Sequence, residues 1–203
     1  MIQPTCYVIA HTQSRVINDC IASLVKHNWK FEKVDAVDGQ SITDADWKRI
    51  GIAMSDKGKM SHRLGAQGCW HSHYKLWNKC ATTNTPIVVM EHDAVVNGPW
   101  PEDLDIDKQL VKLYSGAECK VNPAFGRWSK GAHAYTVTPA QANRLIQHAR
   151  DNGAQAVDKH LGDLVLPWTF LNQDLITLNP NRGPSSTSTL KKIKREKNVT
   201  STI

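Results

Sequence analysis

The order strand, helix, strand at the start of the chain constrains the fold more than any other feature of the sequence. Residues 6–10 (CYVIA) form a short apolar run that is typical of a buried strand. Residues 14–28 follow with an amphipathic helical pattern, for which Ser14 is the expected N-cap. Four apolar residues recur there at helical spacing: Ile17, Ile21, Leu24 and Val25. A second strand over residues 29–34 completes a unit of about 30 residues, which predicts two parallel strands joined by a crossover helix.

The rest of the chain continues this alternation. A long amphipathic helix is predicted over residues 65–81, and a capping box at Thr138, with proline at the first helical position, starts another. Apolar runs predict further strands at residues 87–90, 109–114, 133–138 and 175–178. Because no repeat or linker interrupts the pattern, we predict one α/β domain over residues 1–189, followed by a basic tail at residues 190–203.

The net charge of +6 is concentrated in that tail. Five basic residues against Glu196 give the tail a net charge of +4 and leave +2 for the rest of the chain. The five are Lys191, Lys192, Lys194, Arg195 and Lys197. Such a run can contact the phosphates of nucleic acid, anionic lipid headgroups or an acidic glycan. A tail that is merely solvated is the alternative interpretation.

Two other features predict a cytoplasmic location, which would be the host cytoplasm if the protein is viral. No apolar run approaches the roughly 18 to 20 residues that a membrane-spanning helix needs, and the N-terminus lacks the basic region of a signal peptide. The cysteines are five in number and form no CxxC pair. An odd, unpaired set favours reduced thiols over a disulfide framework.

The stretch TPIVVMEHDAVV, residues 85–96, carries the strongest chemical signal. Its apolar strand runs directly into Glu91, His92 and Asp93. Side chains two positions apart in a strand point the same way, so Glu91 and Asp93 share one face. At the carboxyl edge of a parallel sheet that face looks into the crevice where α/β proteins bind ligands. Since two adjacent carboxylates repel unless a cation lies between them, we predict an acidic metal site for a phosphate-bearing ligand. A solvated loop after the strand is the alternative.

The segment before this strand adds a family resemblance. A GxxGCxxSHxxxW pattern precedes the strand by about ten residues, and the strand ends in E-x-D. The matching residues are Gly65, Gly68, Cys69, Ser72, His73, Trp77, Glu91 and Asp93. Three further stretches match the same pattern: VDAVDG at residues 34–39, GAHAYTVTPAQANRL at 131–145 and VDKHL at 157–161. The order and spacing of these motifs resemble those of glycosyltransferase family 25, the lipopolysaccharide-type and collagen-modifying galactosyl- and glucosyltransferases. The family usually has aspartate where this chain has His92.

The resemblance implies a single GT-A-like, Rossmann-like domain with a mostly parallel central sheet, and a nucleotide-sugar donor, usually UDP-linked, used with Mn²⁺ or Mg²⁺. By this resemblance, Asp93 would bind the metal and the donor diphosphate, and Glu91 would be a supporting ligand and catalytic residue. Asp38, in the VDAVDG loop, would contact the donor. The family is generally treated as inverting, which requires a general base near the acceptor hydroxyl; Asp158 is the first candidate.

Four other residues complete the predicted donor site. Ser72 and His73 are expected to line the donor cleft or to close a polar network beneath it. Arg127 and Lys130, beside Trp128 in a predicted loop, have the composition of a sugar- or base-binding surface, although a plain surface loop is the alternative.

A zinc site formed by Cys69, His71 and His73 is a weaker interpretation. On a helix the first and third of these residues share a face and His71 does not, so a structural helix is favoured.

Three functions follow from these observations. The leading one is a metal-dependent transferase that moves a sugar from a UDP-sugar to the hydroxyl of a saccharide acceptor of the lipopolysaccharide type. The second is a DNA glycosyltransferase that modifies hydroxymethylcytosine in phage DNA, which the basic tail would suit because phosphate contacts supply sequence-independent affinity. The third is a non-catalytic protein that binds a nucleotide sugar or a polyanion, which only the replacement at His92 supports.

Overall fold

The structure is a computed structural model of the 203-residue chain, and it describes residues 3–55, 60, 63–114, 116–171 and 174–183. The basic tail at residues 190–203 lies outside the described residues. Its contact with phosphates therefore stays a prediction.

Strands and helices alternate along the chain as predicted. The strands are β1 (Thr5–Ala10), β2 (Phe31–Asp35), β3 (Ile87–Glu91), β4 (Ala94–Val96), β5 (Leu110–Lys112), β6 (Cys119–Asn122), β7 (Gly126–Ser129), β8 (Ala134–Val137), β9 (Trp168–Phe170) and β10 (Ile176–Leu178). The helices are α1 (Ile17–Lys26), α2 (Asp44–Ile50), α3 (Leu64–Thr83), α4 (Pro139–Asn152) and α5 (Val157–His160), with a 3-10 turn at Gly39–Ser41.

Six strands form the central sheet in the order β2-β1-β3-β8-β5-β9. β1 pairs in parallel with β2 and β3, and β5 pairs in parallel with β9. β8 is antiparallel to both of its neighbours, β3 and β5. The predicted α/β class with a mostly parallel central sheet is confirmed. Because β8 runs the other way, its first residue lies at the same edge of the sheet as the last residues of β1, β3 and β5.

Side chains of the sheet alternate between two core layers. Val88 and Met90 of β3 pack with α1 on one side, whereas Ile87 and Val89 pack with α3 and α4 on the other. This alternation has period two, so Glu91, the next residue of β3, is directed to the α3 side. Two small antiparallel ladders, β4 with β10 and β6 with β7, lie beside the main sheet.

Local signals were correct for one predicted helix start and wrong for another. Thr138 and Gln141 form the predicted capping box of α4. Thr43 and Asp46 form a second box that starts α2. Ser14 is not the N-cap of α1, which begins three residues later; its hydroxyl is instead hydrogen-bonded to His92 Nδ1 at 2.8 Å. The same hydroxyl also accepts from the Val16 N–H at 3.3 Å, so it joins the start of the chain's first loop to His92 and does not cap the helix.

The predicted loop that contains Arg127 is also different in the structure. Gly126–Ser129 forms β7, which pairs with β6 in a hairpin. The prediction failed because polar hairpin strands lack the apolar periodicity by which strands are recognised. In the part of the chain that the structure describes, no helix is long and apolar enough to cross a membrane.

Candidate active site

Glu91 and Asp93 lie where β3 ends, at the carboxyl edge of the parallel strands. β3 buries four apolar residues and ends at Glu91, and a two-residue turn then leads into β4. The exposed fractions of the two side chains are only 23% and 12%. Two carboxylates this poorly solvated need positive charge or hydrogen-bond donors around them. The structure places such groups on several sides of the pair.

His133 bridges the two carboxylates. The antiparallel register pairs Met90 with Ala134, so His133 lies beside Glu91, and the Glu91 N–H donates to the His133 carbonyl at 2.8 Å. The His133 Nδ1 atom lies 3.0 Å from Glu91 Oε2 and 3.3 Å from Asp93 Oδ1. We call Glu91, Asp93 and His133 the acidic centre.

These contacts change the pKa of each member of the acidic centre. Burial alone would lower the pKa of His133, but its hydrogen bonds to Asp93 and Glu91, with the charges of both, raise it to about 10. Burial alone would raise the pKa of Glu91, but the hydrogen bond from His133 and the imidazole of His73 hold it well below its usual range. The pKa of Asp93 is also lowered, because contacts with His133 and Arg182 outweigh burial and the repulsion from Glu91.

Gly131 makes the position of His133 possible. Its φ angle is +80°, in the region that side chains rarely adopt. A Cβ atom added to Gly131 would clash with Nε2 of the His133 ring. The residue at position 131 must therefore lack a side chain for the imidazole to reach the carboxylates.

A buried chain of polar groups supports Glu91 from below. The Trp77 indole N–H donates to the Tyr135 hydroxyl at 2.8 Å, and that hydroxyl is hydrogen-bonded to His73 Nδ1 at 2.8 Å. Since the Tyr135 oxygen already accepts from Trp77, its own hydrogen can go to His73, which leaves the imidazole proton on Nε2. That Nε2 lies 3.4 Å from Glu91 Oε1 and has no hydrogen bond of good geometry. The Cys69 thiol donates to the same oxygen at 3.6 Å.

Arg182 approaches Asp93 from the opposite side. Its Nη1 lies 3.1 Å from Asp93 Oδ2. Asn179, at the end of β10, holds this segment in place because its backbone N–H donates to the Asp93 carbonyl at 2.8 Å. Its side-chain amide also donates to Asp19 Oδ2 at 2.7 Å. A segment distant in sequence thus brings a guanidinium to the acidic centre.

The acidic centre has a donor set that fits a divalent cation. One carboxylate oxygen from each acidic residue and a ring nitrogen of His133 all lie within 4.8 Å of one another, and His133 would release its Nδ1 proton on binding a metal. Carboxylates and imidazole together suit Mn²⁺, and carboxylates also suit Mg²⁺. Cys69, His73 and Glu91 form a second group with the same spread, but there the thiol has a pKa raised well above its usual range by burial, so it is a poor ligand.

Comparison with known proteins gives the family. The model of glycosyltransferase family 25, described as LPS biosynthesis protein, matches residues 4–122, which is more than half of the chain. The chain belongs to glycosyltransferase family 25. A comparison with curated protein sequences found no match. Among solved structures, the chain is similar to the crystal structure of galactosyltransferase LgtC in complex with donor and acceptor sugar analogues. Identity is 10%, coverage is 83% of this chain and 73% of that chain, and the TM-score is 0.44.

In this family 25 glycosyltransferase, Ser72 supports the loop that carries Asp38. The Ser72 hydroxyl accepts from the Val37 N–H at 2.8 Å and donates to the Gly68 carbonyl at 2.7 Å. A Cβ atom on Gly68 would clash with the Val37 carbonyl, so the glycine lets the loop pack on α3. The Asp38 side chain is exposed and accepts from the Gln40 N–H at 2.9 Å. Ser72 is thus buried in a polar network whereas Asp38 is exposed, and their roles in donor binding stay predictions.

His92, the departure from the family pattern, points away from the acidic centre. Its Nδ1 atom is hydrogen-bonded to Ser14 in the loop between β1 and α1. Burial lowers its pKa, against the charges of Asp93 and Glu91. The replacement therefore leaves the donor set of the acidic centre intact.

Asp158 lies in a buried, charged neighbourhood beside the centre. Its carboxylate accepts from the Lys159 N–H at 2.9 Å and interacts with the backbone N–H of Gly131. Burial raises its pKa. Its charge acts on Cys69 and on Lys112. Lys112 is buried, its ammonium donates to Ser129 Oγ at 2.8 Å, and burial lowers its pKa to about 8.

Arg127 lies in strand β7 of the β6–β7 hairpin, and Lys130 follows that strand directly. The Arg127 guanidinium lies 4.3 Å from the centre of the Trp168 ring and 3.8 Å from Asp163. Lys130 is exposed and pairs with Glu118 at 2.7 Å. No contact in the described residues joins either of them to the acidic centre, so their role in donor binding stays a prediction.

Sequence reasoning missed His133 and Arg182. His133 lies in the stretch GAHAYTV, directly before an apolar strand. A polar residue next to an apolar strand is the signal by which Glu91 was identified, and it could have identified His133 as well. Arg182 carried no signal, since its loop has no motif. Both lie outside the residues that the family model matches.

Proposed function

We propose that this family 25 glycosyltransferase transfers a sugar from a UDP-sugar to the hydroxyl of a saccharide acceptor, and that it uses Mn²⁺ or Mg²⁺. The acidic centre is the observation that carries the proposal. Two carboxylates and an imidazole converge at the carboxyl edge of the parallel strands, where open α/β sheets bind their ligands. The family description, LPS biosynthesis protein, supports a saccharide acceptor of the lipopolysaccharide type.

Glu91, Asp93 and His133 would hold the cation. When bound, it would stabilise the negative charge of the departing UDP. The His133 carbonyl accepts from the Glu91 N–H, and Asn179 donates to the Asp93 carbonyl, so both carboxylate residues are anchored through their backbones. The three ligands thus lie at or next to the ends of paired strands and are held by hydrogen-bonded neighbours, which favours a fixed donor geometry.

Asp38 and Asp158 take the two remaining roles. The exposed carboxylate of Asp38 lies just beyond the carboxyl end of β2, where it would contact the nucleoside. Asp158 would act as the general base of an inverting transfer and accept the proton of the acceptor hydroxyl. Its raised pKa supports this role, because a carboxylate with a raised pKa is a stronger base.

The acceptor is tested by measuring UDP release from a panel of UDP-sugars with Mn²⁺. Each donor is combined with a core oligosaccharide, with duplex DNA that contains hydroxymethylcytosine, and with unmodified duplex DNA. Stimulation by the oligosaccharide supports the proposal. Stimulation by the modified duplex alone would make the protein a DNA glycosyltransferase, and the five basic residues of the tail would then be the first to test for phosphate contacts.

The site is tested with Asp93→Asn. This change keeps the size of the side chain and removes its charge, so turnover should collapse while the protein remains folded. Asp107→Asn, at an exposed position remote from the acidic centre, is the matched control and should behave like wild type. Equal turnover in Asp93→Asn and wild type would refute the site. No release from any donor, with binding retained, would favour the non-catalytic alternative.

A further inference from the structure

Arg182 is the more exposed of the two cationic partners of Asp93. Both oxygens of the Asp93 carboxylate are engaged, Oδ1 by His133 and Oδ2 by Arg182. The side chain of His133 is 14% exposed, whereas that of Arg182 is 36% exposed. A solvated guanidinium gives up an ion pair at lower free-energy cost than a buried imidazole does. We therefore expect a ligand that enters the acidic centre to displace Arg182 before His133.

The backbone would keep the displaced guanidinium close to the site. The Arg182 N–H donates to the Asn179 carbonyl at 3.2 Å, and the Asn181 N–H donates to Asn179 Oδ1 at 2.9 Å. Asn179 itself is 4% exposed and is bound to the backbone of Asp93 and to Asp19. This turn fixes the Cα atom of Arg182 while the long side chain retains several rotatable bonds. The side chain can leave Asp93 and still lie over the mouth of the centre.

The charge of the site indicates what the guanidinium would meet there. A nucleotide sugar brings two phosphates, and the planar guanidinium matches phosphate oxygens through paired N–H donors. Lys112 is a poor alternative, since its ammonium is buried, bound to Ser129 and placed 4.1 Å from the centre of the Trp168 ring.

We propose that Arg182 binds the diphosphate of the nucleotide-sugar donor, and that it exchanges its ion pair with Asp93 for the phosphate oxygens when the donor enters. This inference rests on the proposed function, because it takes the donor to be a UDP-sugar. It adds a residue that no motif of the chain indicated.

The experiment compares binding of UDP with binding of uridine by isothermal titration calorimetry, at a fixed Mn²⁺ concentration and with the full chain. Arg182→Met removes the guanidinium, and Arg182→Lys keeps the charge but loses the paired donors. Arg49→Met is the matched control, because Arg49 also pairs with an aspartate, Asp46 at 2.7 Å, on the exposed helix α2.

The expected result is that Arg182→Met weakens UDP binding about 10- to 100-fold and leaves uridine binding unchanged. Arg182→Lys should weaken UDP binding by a smaller factor, and Arg49→Met should match wild type. Mn²⁺ binding in the absence of UDP should be as strong in Arg182→Met as in wild type or stronger, since a cation next to Asp93 has been removed. A merely structural role would weaken Mn²⁺, uridine and UDP binding together.

The failures of the two proposals can be told apart. If wild type binds UDP and Arg182→Met binds it within twofold as tightly, or loses UDP and uridine affinity equally, the role of Arg182 is overturned and the proposed function stands. If wild type with Mn²⁺ binds no UDP, both proposals fall. Thermal unfolding of each variant checks folding, and Arg182→Lys carries the test if the methionine variant does not fold.

Discussion

The Nδ1 atom of His133 lies 3.3 Å from Asp93 Oδ1, although 40 positions of sequence separate the two residues. The contact exists because β8 pairs antiparallel with β3, which brings the start of one strand to the end of the other. Without it, Asp93 would face the repulsive charge of Glu91 with the Arg182 guanidinium as its remaining cationic neighbour among the described residues. The imidazole makes a stable pair of carboxylates possible at a poorly solvated sheet edge.

Replacing His133 should weaken cation binding. His133→Asn removes the ring nitrogen that would release its proton and bind the cation, a role that the Arg182 guanidinium cannot take, so we expect the affinity for Mn²⁺ to fall by at least about tenfold. Titration of Mn²⁺ by electron paramagnetic resonance measures this directly, without turnover. His27→Asn is the control, since His27 follows α1 at the opposite edge of the sheet. Unchanged Mn²⁺ affinity in His133→Asn would remove His133 from the ligand set.

Gly131→Ala should damage the same site by displacing the histidine. A side chain at φ +80° is strained by about 1 to 3 kcal/mol, and the added carbon would also clash with the His133 ring. Gly51→Ala is a matched control with φ +67° and open space around its Cα atom. Urea denaturation should show a loss of stability in both variants. Mn²⁺ affinity should fall only in Gly131→Ala, and an equal effect in the two variants would argue against the steric explanation.

Asp158→Asn should reduce turnover without reducing donor binding. Loss of a general base lowers the rate by about 10²- to 10⁴-fold. The pKa of Asp158 is raised, and the base works only when deprotonated, so wild-type turnover should fall as the pH drops through a pKa higher than that of an ordinary aspartate. The measurement is turnover against pH, with UDP affinity in parallel and Asp107→Asn as control. A variant that keeps wild-type turnover would show that another group takes the proton.

His160 should make the fold sensitive to acid. It is fully buried, its ring stacks on Trp77, and its Nε2 is hydrogen-bonded to the Leu145 carbonyl at 2.8 Å. Burial, with a smaller contribution from the charge of His148, lowers its pKa to about 4 from an ordinary 6.5. Between pH 6.5 and about 4, His160 is therefore protonated in the unfolded chain and neutral in the folded chain.

The stability that His160 contributes is complete above about pH 6.5 and is lost as the pH falls towards 4. The shift corresponds to at most about 3 kcal/mol. Denaturation with urea at pH 7.5, 5.5 and 4.5 should show this loss in wild type and a smaller loss in His160→Gln, which retains a donor for Leu145 and does not titrate. Parallel pH dependence in the two proteins would contradict the assignment.

Much of the fold could be predicted from local signals. The parallel unit at the start of the chain, the capping box at Thr138 and the strand that ends in Glu91 all depend on neighbours a few positions away. Each has a strong period or a specific spacing, and each was confirmed by the structure. The β6–β7 hairpin was missed because its strands are polar, and Ser14 was misassigned because its hydroxyl joins the first loop to His92 and does not cap the helix.

The sequence by itself determined the class of fold and the acidic pair, because alternation and an E-x-D strand end are properties of contiguous residues. Only the tertiary structure decided which groups stand around that pair. His133 reaches Glu91 and Asp93 because β8 enters the sheet between β3 and β5, and Arg182 reaches Asp93 because β10 pairs with β4. Strand pairing depends on how both faces of the sheet bury their apolar residues at once, which no local stretch of sequence encodes.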